Sequence, residues 1–182
     1  MPSPFLYFAD ERLSQAELTS ACLDGHLVGL GEAFIPADLV ESTALRAASL
    51  TGLLGDTLAA THESAAWILG RQDEPPARHT VQRAVDRRLH HVLSRRLVYR
   101  DVLLPPEDQF HAGGVRVSTP ARTLSDLARS SDPASRKLAE SWACEAPDDA
   151  DAALEWLAGH RSVPGKKDAR MLLGRGQDDV TR

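Results

Sequence analysis

Apolar residues recur along the chain at spacings that predict a mixture of helices and strands. Between residues 40 and 54 they return every three or four positions, which predicts an amphipathic helix. Val115 and Val117 alternate with Arg116 at the two-residue period of a half-buried strand. Shorter apolar runs predict further strands at 27–30, 33–35 and 58–60. The pattern therefore indicates an α+β protein with a mixed β-sheet and flanking helices.

The stretch 113–129 combines a strand with a well-defined helix start. Thr119 is placed to cap the helix, and Pro120 stands at its first position, where the missing N–H costs nothing. Arg122 and Asp126 are four residues apart, so they share one face of the helix and are expected to pair. The stretch contains no nucleophile–base pair and no metal-ligand spacing. We therefore expect it to be a structural centre rather than a reactive site.

A second helix start is predicted around residue 61. Thr61 is placed as the cap, and Glu63 lies in the first turn, where the helix dipole favours a negative charge. His62 and Glu63 have the residue types of an acid–base pair. A helix start explains both of them without chemistry, so catalysis is not expected here.

The N-terminal segment predicts a helix followed at once by a hairpin. Ser14 and Glu17 form a capping-box pattern, and Gly25 is placed to end the helix. The two short apolar runs that follow surround Gly31, as in a β-hairpin. This order is typical of the last part of a winged helix-turn-helix, although few residues precede Ser14. We expect residues 1–39 to form a partial winged helix.

The later part of the chain predicts helices only. They are expected at 133–145, 148–159 and 164–174, with a frayed end over the last eight residues. The three tryptophans lie on helical stripes and are expected in the core. We therefore predict an α/β domain over 40–130 and C-terminal helices over 131–182 that pack on the same core.

Charge changes this picture because it is unevenly distributed. The chain has 182 residues, 42% of them hydrophobic, and a net charge of −5, which argues against nucleic-acid binding by the whole surface. Residues 78–100, however, hold seven arginines and one acid, while acids gather at 140–155. Apolar and basic residues alternate in this arginine segment, which predicts strands over 80–85, 89–93 and 97–104.

The arginine segment is the candidate binding surface. It uses arginine to the exclusion of lysine, and the planar guanidinium suits bidentate contact with phosphate or carboxylate. Three explanations remain open: a solvated sheet face, a docking surface for nucleic acid or an acidic partner, and an internal partner in the acidic helix at 148–155. The candidate binding residues are Arg83, Arg87, Arg88, Arg95, Arg96 and Arg100.

The remaining chemistry excludes several classes of protein. Cys22 and Cys144 lie far apart on apolar stripes, so we expect buried free thiols. His90 and His91 are adjacent, and neighbouring residues of a strand point to opposite faces, so no metal site is expected. No cofactor motif and no apolar run of membrane-spanning length occurs. A nuclease is the enzymatic alternative, but no Asp precedes a Glu-x-Lys at neighbouring strand positions. The start of the chain lacks a basic leader, which favours a cytoplasmic protein.

Two stretches carry a family resemblance. The sequences His-Glu-Ser-Ala-Ala at 62–66 and Gly-Gly-Val-Arg-Val-Ser-Thr-Pro-Ala-Arg-Thr-Leu-Ser-Asp-Leu-Ala at 113–128 resemble the AbiEi family of bacterial antitoxins and regulators. The arginine segment and the Pro-Pro-Glu-Asp turn between them are also similar, so the resemblance is best over 40–130. It implies a non-enzymatic antitoxin domain, an N-terminal DNA-binding element, repression of its own operon and a nucleotidyltransferase-type toxin as partner.

The hairpin departs from the family pattern. Wings of the family look basic, whereas residues 26–34 contain no Arg or Lys and one acid. We therefore expect an antitoxin or regulator that binds DNA or a partner protein through the arginine segment, or alternatively a pure protein-interaction module without DNA binding. The residues of the two helix starts are expected to be structural: Thr61, His62, Glu63, Thr119, Pro120, Arg122 and Asp126.

Overall fold

The described strands all lie before residue 119, and the part of the chain after them is helical. The computed structural model describes residues 4–90, 92, 94–160 and 162–180. Its helices are α1 (Gln15–Leu23), α2 (Thr43–Ser49), α3 (Thr51–Leu54), α4 (His62–Ile68), α5 (Pro120–Ala128), α6 (Pro133–Glu145), α7 (Pro147–Gly159) and α8 (Lys166–Val180). Its strands are β1 (Leu27–Leu30), β2 (Ala33–Pro36), β3 (Leu58–Ala60), β4 (His79–Arg83), β5 (Leu97–Leu103), β6 (Gln109–Ala112) and β7 (Val115–Ser118). The predicted α+β class is confirmed.

A five-stranded mixed sheet forms the centre of the molecule. Its strand order is β5-β4-β3-β7-β6, while β1 and β2 form a separate antiparallel hairpin. Strand β3 runs parallel to β7 and antiparallel to β4, β4 runs parallel to β5, and β6 closes an antiparallel hairpin with β7. The turn of that hairpin consists of Gly113 and Gly114, both with positive φ.

The two faces of the sheet differ because side chains alternate along each strand. One face is apolar and packs against the β1–β2 hairpin, α2 and α4 in the first core. Its strand residues include Leu58, Ala60, Val81, Val115 and Val117. Helices α5 to α8 pack on one another in a second core. Helix α4 joins the two cores, since Trp67 lies in the first and Ala66 in the second.

The helix starts predicted from local sequence are largely confirmed. The hydroxyl of Ser14 accepts the N–H of Glu17 at 3.3 Å, and the Glu17 carboxylate accepts the N–H of Ser14 at 2.8 Å. Thr119 Oγ1 accepts the N–H of Arg122 at 3.3 Å, with Pro120 at the first position. Helix α4, in contrast, has no side-chain cap. Thr61 stands at the cap position as predicted, but the capping bond expected from its side chain is wrong, because its hydroxyl turns to the sheet and donates to the carbonyl of Thr80.

Several predicted elements differ from the structure. The helix expected over 40–54 is divided into α2 and α3, because the hydroxyls of Ser49 and Thr51 donate to backbone carbonyls one turn earlier and the helix breaks at Leu50. The strand expected over 89–93 is wrong for residues 89, 90 and 92, and His91 and Leu93 lie outside the described residues. Strand β6 was missed, and α8 continues to Val180, past its predicted end.

The cysteines are free, as predicted, but they are less buried than expected. Cys22 is half-buried and Cys144 is exposed. The buried stripe of α6 contains Ala139, Trp142 and Ala143, so Cys144 lies just outside it. The expectation of a buried thiol at this position was therefore wrong.

The tip of the β1–β2 hairpin, residues 30–33, docks into the first core. The buried residues of the hairpin are Leu30, Ala33 and Ile35. Gly31 has a φ of +58°, and a Cβ atom there would collide with Ser49 Oγ and lie 3.0 Å from the Trp67 ring. The hairpin tip is therefore enclosed by the rest of the protein instead of projecting into solvent as a free wing.

Candidate binding surface on the sheet

The structure separates the six candidate arginines by their surroundings. Arg83 is half-buried, and its Nη1 donates to the carbonyls of Val85 and Asp86 at 2.9 and 2.7 Å. Its Nε lies 3.3 Å from the Asp101 carboxylate. These contacts hold the chain at the end of β4, so Arg83 stabilises the fold and is poorly placed to bind another molecule.

Arg96 connects the arginine segment to the hairpin tip. Its side chain is 55% exposed, and its Nη2 donates to the carboxylate of Glu32. The same carboxylate lies 3.8 Å from Nε2 of the buried His79. Burial, with the nearby Arg96 charge, lowers the pKa of His79 to about 4. At neutral pH, Arg96 is therefore the cationic partner of Glu32 at this place.

The other four candidates are exposed to solvent. We call them the exposed arginine group: Arg87, Arg88, Arg95 and Arg100. Arg88 is 75% exposed and its Nε lies 3.7 Å from Asp101. Within the described part of the chain, no carboxylate pairs with the guanidinium of Arg87, Arg95 or Arg100. These positive charges are therefore available to another molecule.

The register of the sheet places residues of four other strands on the same face as Arg100, but the middle of this face is covered, since Ala59 is 0% and Gln82 3% exposed. Arg100, Gln82, Ala59, Arg116 and His111 are successive cross-strand partners from β5 to β6. Because direct partners share a face, these five residues form one row on the face opposite the first core. Arg100 and His111 at the two ends are exposed, whereas Gln82 is buried. The polar face of the sheet is therefore positively charged at its β5 edge.

Asp149 of the acidic helix α7 pairs with residues outside the arginine segment. The Asp149 carboxylate accepts Nη2 of Arg71 at 3.0 Å and Nε1 of Trp142 at 2.8 Å. The acids that do pair with the arginine segment are Glu32 and Asp101, which sequence reasoning missed. Glu32 is 64 residues from Arg96, so no local pattern indicates their contact.

The second predicted motif forms a buried ion cluster. Arg122 donates from Nε to Asp126 at 2.8 Å, as the four-residue spacing predicted, and from Nη1 to Asp108 at 2.5 Å. Arg129 donates to the other oxygen of Asp126 at 3.0 Å, and Trp156 Nε1 donates to Asp108 at 2.7 Å. Burial opposes the charge of Arg122, but Asp126 and Asp108 outweigh it and raise the pKa of Arg122. This Arg122 cluster joins α5, α7 and the turn Pro106–Asp108.

The residues at the start of α4 are also held internally. His62 is buried with a φ of +52°, and its Nδ1 lies 3.1 Å from Thr61 Oγ1. Burial lowers the pKa of His62, while the nearby Asp126 opposes that effect. The Glu63 carboxylate accepts the hydroxyls of Ser135 and Thr80. Internal contacts thus account for these residues without a reaction.

The described ranges contain neither a metal cluster nor a membrane-spanning helix. No group of three or more His, Cys, Asp and Glu side chains is placed there to hold a metal ion. None of the helices formed by those residues has both the length and the apolar character needed to cross a membrane.

Comparison with known proteins places this geometry in a family. Residues 58–175 match the model of the AbiEi antitoxin C-terminal domain. The chain belongs to the AbiEi antitoxin family. The matched part of the chain runs from β3 into α8, so it contains the whole arginine segment and the Arg122 cluster, and it reaches beyond the predicted limit at residue 130. No curated protein matches the chain.

A solved structure shows a similar fold. The crystal structure of the RV2827C protein from Mycobacterium tuberculosis is 19% identical in sequence, with a TM-score of 0.50. The alignment covers 88% of the present chain and 64% of the mycobacterial one, so the present chain spans slightly less than two thirds of that length. At this level of identity the likeness concerns the fold alone.

Proposed function

We propose that this AbiEi-family chain is a cytoplasmic antitoxin that acts by binding an acidic surface of its toxin, without catalysis. The exposed arginine group carries the proposal, because Arg87, Arg95 and Arg100 have no paired carboxylate among the described residues. Guanidinium groups pair well with carboxylates, and several charges of one sign accelerate encounter with an oppositely charged protein. Two free thiols agree with a reducing compartment.

The docked hairpin favours a protein partner over DNA. A free wing contacts the DNA backbone, but the hairpin tip here is enclosed and its one charged residue is the acid Glu32. Helix α1, which precedes the hairpin, contains no Lys or Arg. Neither element offers the charge that phosphate binding requires. The arginine segment is then the main positively charged region of the chain.

The test uses the protein encoded by the neighbouring reading frame as the toxin. One variant carries Arg87→Ala, Arg95→Ala and Arg100→Ala. A control variant carries Lys137→Ala, Lys167→Ala and Arg170→Ala, which removes the same charge from exposed positions of α6 and α8. Because exposed ion pairs contribute about 0.2–1 kcal/mol each, we expect the arginine variant to bind about tenfold more weakly by calorimetry. It should also fail to rescue growth when the toxin is co-expressed.

The control variant should retain affinity within about twofold and rescue growth. Equal affinities of the two variants would contradict the proposal, since the positions of the arginines would then not matter. Raising the salt concentration should weaken the wild-type complex and reduce the difference between the variants.

DNA binding through the same arginines is the second candidate function. The solvent-exposed Arg87, Arg95 and Arg100 favour it, because guanidinium groups also pair with phosphate. Autoregulation then predicts a gel shift with DNA from upstream of the antitoxin gene. Removing the three arginines should make the plot of the logarithm of the DNA-binding constant against the logarithm of the salt concentration less steep. The slope should fall by about 0.9 for each lost phosphate contact. A complex that is unaffected by the three substitutions would contradict this candidate.

A further inference from the structure

The hairpin tip places an acid on the arginine segment. Glu32 lies between two buried apolar neighbours of the tip, and its carboxylate receives Nη2 of Arg96. Arg96 directly follows Arg95, a member of the exposed arginine group, and directly precedes β5, which carries Arg100. Glu32 thus occupies a guanidinium that directly adjoins the surface that the proposed function assigns to the toxin.

We propose that this contact is autoinhibitory: Glu32 competes with an acidic segment of the partner protein for Arg96, and binding of that segment releases the hairpin tip. The inference depends on the proposed function and adds its regulation. The side chain of Arg96 is 55% exposed and that of Glu32 is 23% exposed, so an incoming carboxylate can approach the guanidinium from solvent.

Among the described residues, only Arg96 and the His79 ring lie within ion-pair distance of the Glu32 carboxylate. His79 Nε2 lies 3.8 Å away, but His79 is buried and its Nδ1 faces Ser64 Oγ at 3.2 Å. The depressed pKa of His79 keeps the ring neutral at physiological pH. A partner that takes Arg96 therefore leaves the Glu32 carboxylate half-buried without its counter-ion. An unpaired, half-buried carboxylate is costly, so its loss of Arg96 weakens the docking of the hairpin tip, which contains Glu32.

The coupling between the two contacts is reciprocal. If the partner weakens docking of the hairpin tip, then weakening the Glu32 contact must strengthen partner binding by the same factor. Half-exposed ion pairs contribute modestly, so removal of the internal competitor should raise affinity about two- to fivefold. This gain in affinity should require the Arg96 side chain and be lost when Arg96 is replaced.

The experiment measures binding of a synthetic decaglutamate peptide to the full chain by calorimetry. Glu32→Gln removes the competing charge, and Glu32→Asp keeps the net charge but shortens the side chain so that it reaches Arg96 less well. We expect the first variant to bind about two- to fivefold more tightly and the second to change in the same direction. Asp24→Asn is the control for net charge, because Asp24 is an exposed acid of the same N-terminal segment. Urea unfolding establishes that each variant is folded.

The double variant Glu32→Gln with Arg96→Ala decides the mechanism. The gain from Glu32→Gln should vanish when Arg96 is absent, and hydrogen exchange at residues 30–33 should become faster when peptide binds the wild-type protein. A gain that persists without Arg96, equal gains in Glu32→Gln and Asp24→Asn, or unchanged affinity in both Glu32 variants would overturn the inference.

Three outcomes separate the inference from the proposed function. If Arg96→Ala weakens binding while both Glu32 variants are neutral, the inference fails and the proposed function stands. If neither peptide nor toxin binds the wild-type chain, both fail. If a single-stranded oligonucleotide of equal charge binds and decaglutamate does not, the surface selects phosphate and the inference of an acidic protein partner is wrong.

Discussion

Arg122 joins three elements through two buried carboxylates, so its replacement by leucine measures how much this cluster stabilises the fold. Arg122 is 7% exposed, and Asp108 and Asp126 are 4% exposed each. Removing one partner of a buried ion pair costs about 3–5 kcal/mol, because the remaining charge is left without compensation. Asp126 keeps its bond to Arg129, and Asp108 keeps its bond to Trp156. Because both carboxylates retain a partner, the free energy of unfolding should fall by about 3 kcal/mol, the lower end of this range.

Urea unfolding followed by circular dichroism measures this change. For a chain of this size, a loss of about 3 kcal/mol lowers the melting temperature by about 6–12 °C. Lys137→Leu on the exposed face of α6 is the control and should change stability by less than about 0.5 kcal/mol. Adding Asp108→Asn to Arg122→Leu should cost less than the sum of the two single changes. A loss below about 1 kcal/mol for Arg122→Leu would refute the argument that the cluster is buried and coupled.

Two further predictions concern the docked hairpin and the histidine beneath it. In urea unfolding, Gly31→Ala should destabilise the protein by about 1–3 kcal/mol more than Gly25→Ala. Both glycines have positive φ, but only at Gly31 would the added methyl group collide with other atoms. Equal losses of stability in the two variants would contradict docking of the hairpin. His79 has a pKa of about 4 in the fold, so the unfolded chain binds a proton between about pH 6.5 and 4 that the folded chain does not. Stability should therefore fall by about 3 kcal/mol as the pH drops through this window, and His79→Gln should remove that part of the decline.

Local sequence predicted those features that depend on neighbours in the chain. The caps at Ser14 and Thr119 and the Arg122–Asp126 pair all lie within one helical turn, so spacing alone determines them. The partner Asp108 lies 14 residues from Arg122, and no spacing rule connects the two. The capping bond expected from the Thr61 side chain failed for the same reason, because a strand distant in sequence offered its hydroxyl a carbonyl.

The candidate surface shows the same limit. The excess of arginine in the segment 78–100 is visible from composition, and the alternation of residues predicted β4 and β5 near their observed positions. Which guanidinium groups remain available depends on Asp101 and on Glu32, and the fold alone brings Glu32 to Arg96. The sequence could therefore indicate a binding surface but not the internal acid that competes for it.

Hydrogen exchange of the complex with the toxin tests the central claim most directly. If the exposed arginine group is the binding surface, amides in the segment 85–103 should become protected on binding, while α1 and the hairpin tip should not. Protection concentrated on residues 15–36, with unchanged exchange in the arginine segment, would contradict the account.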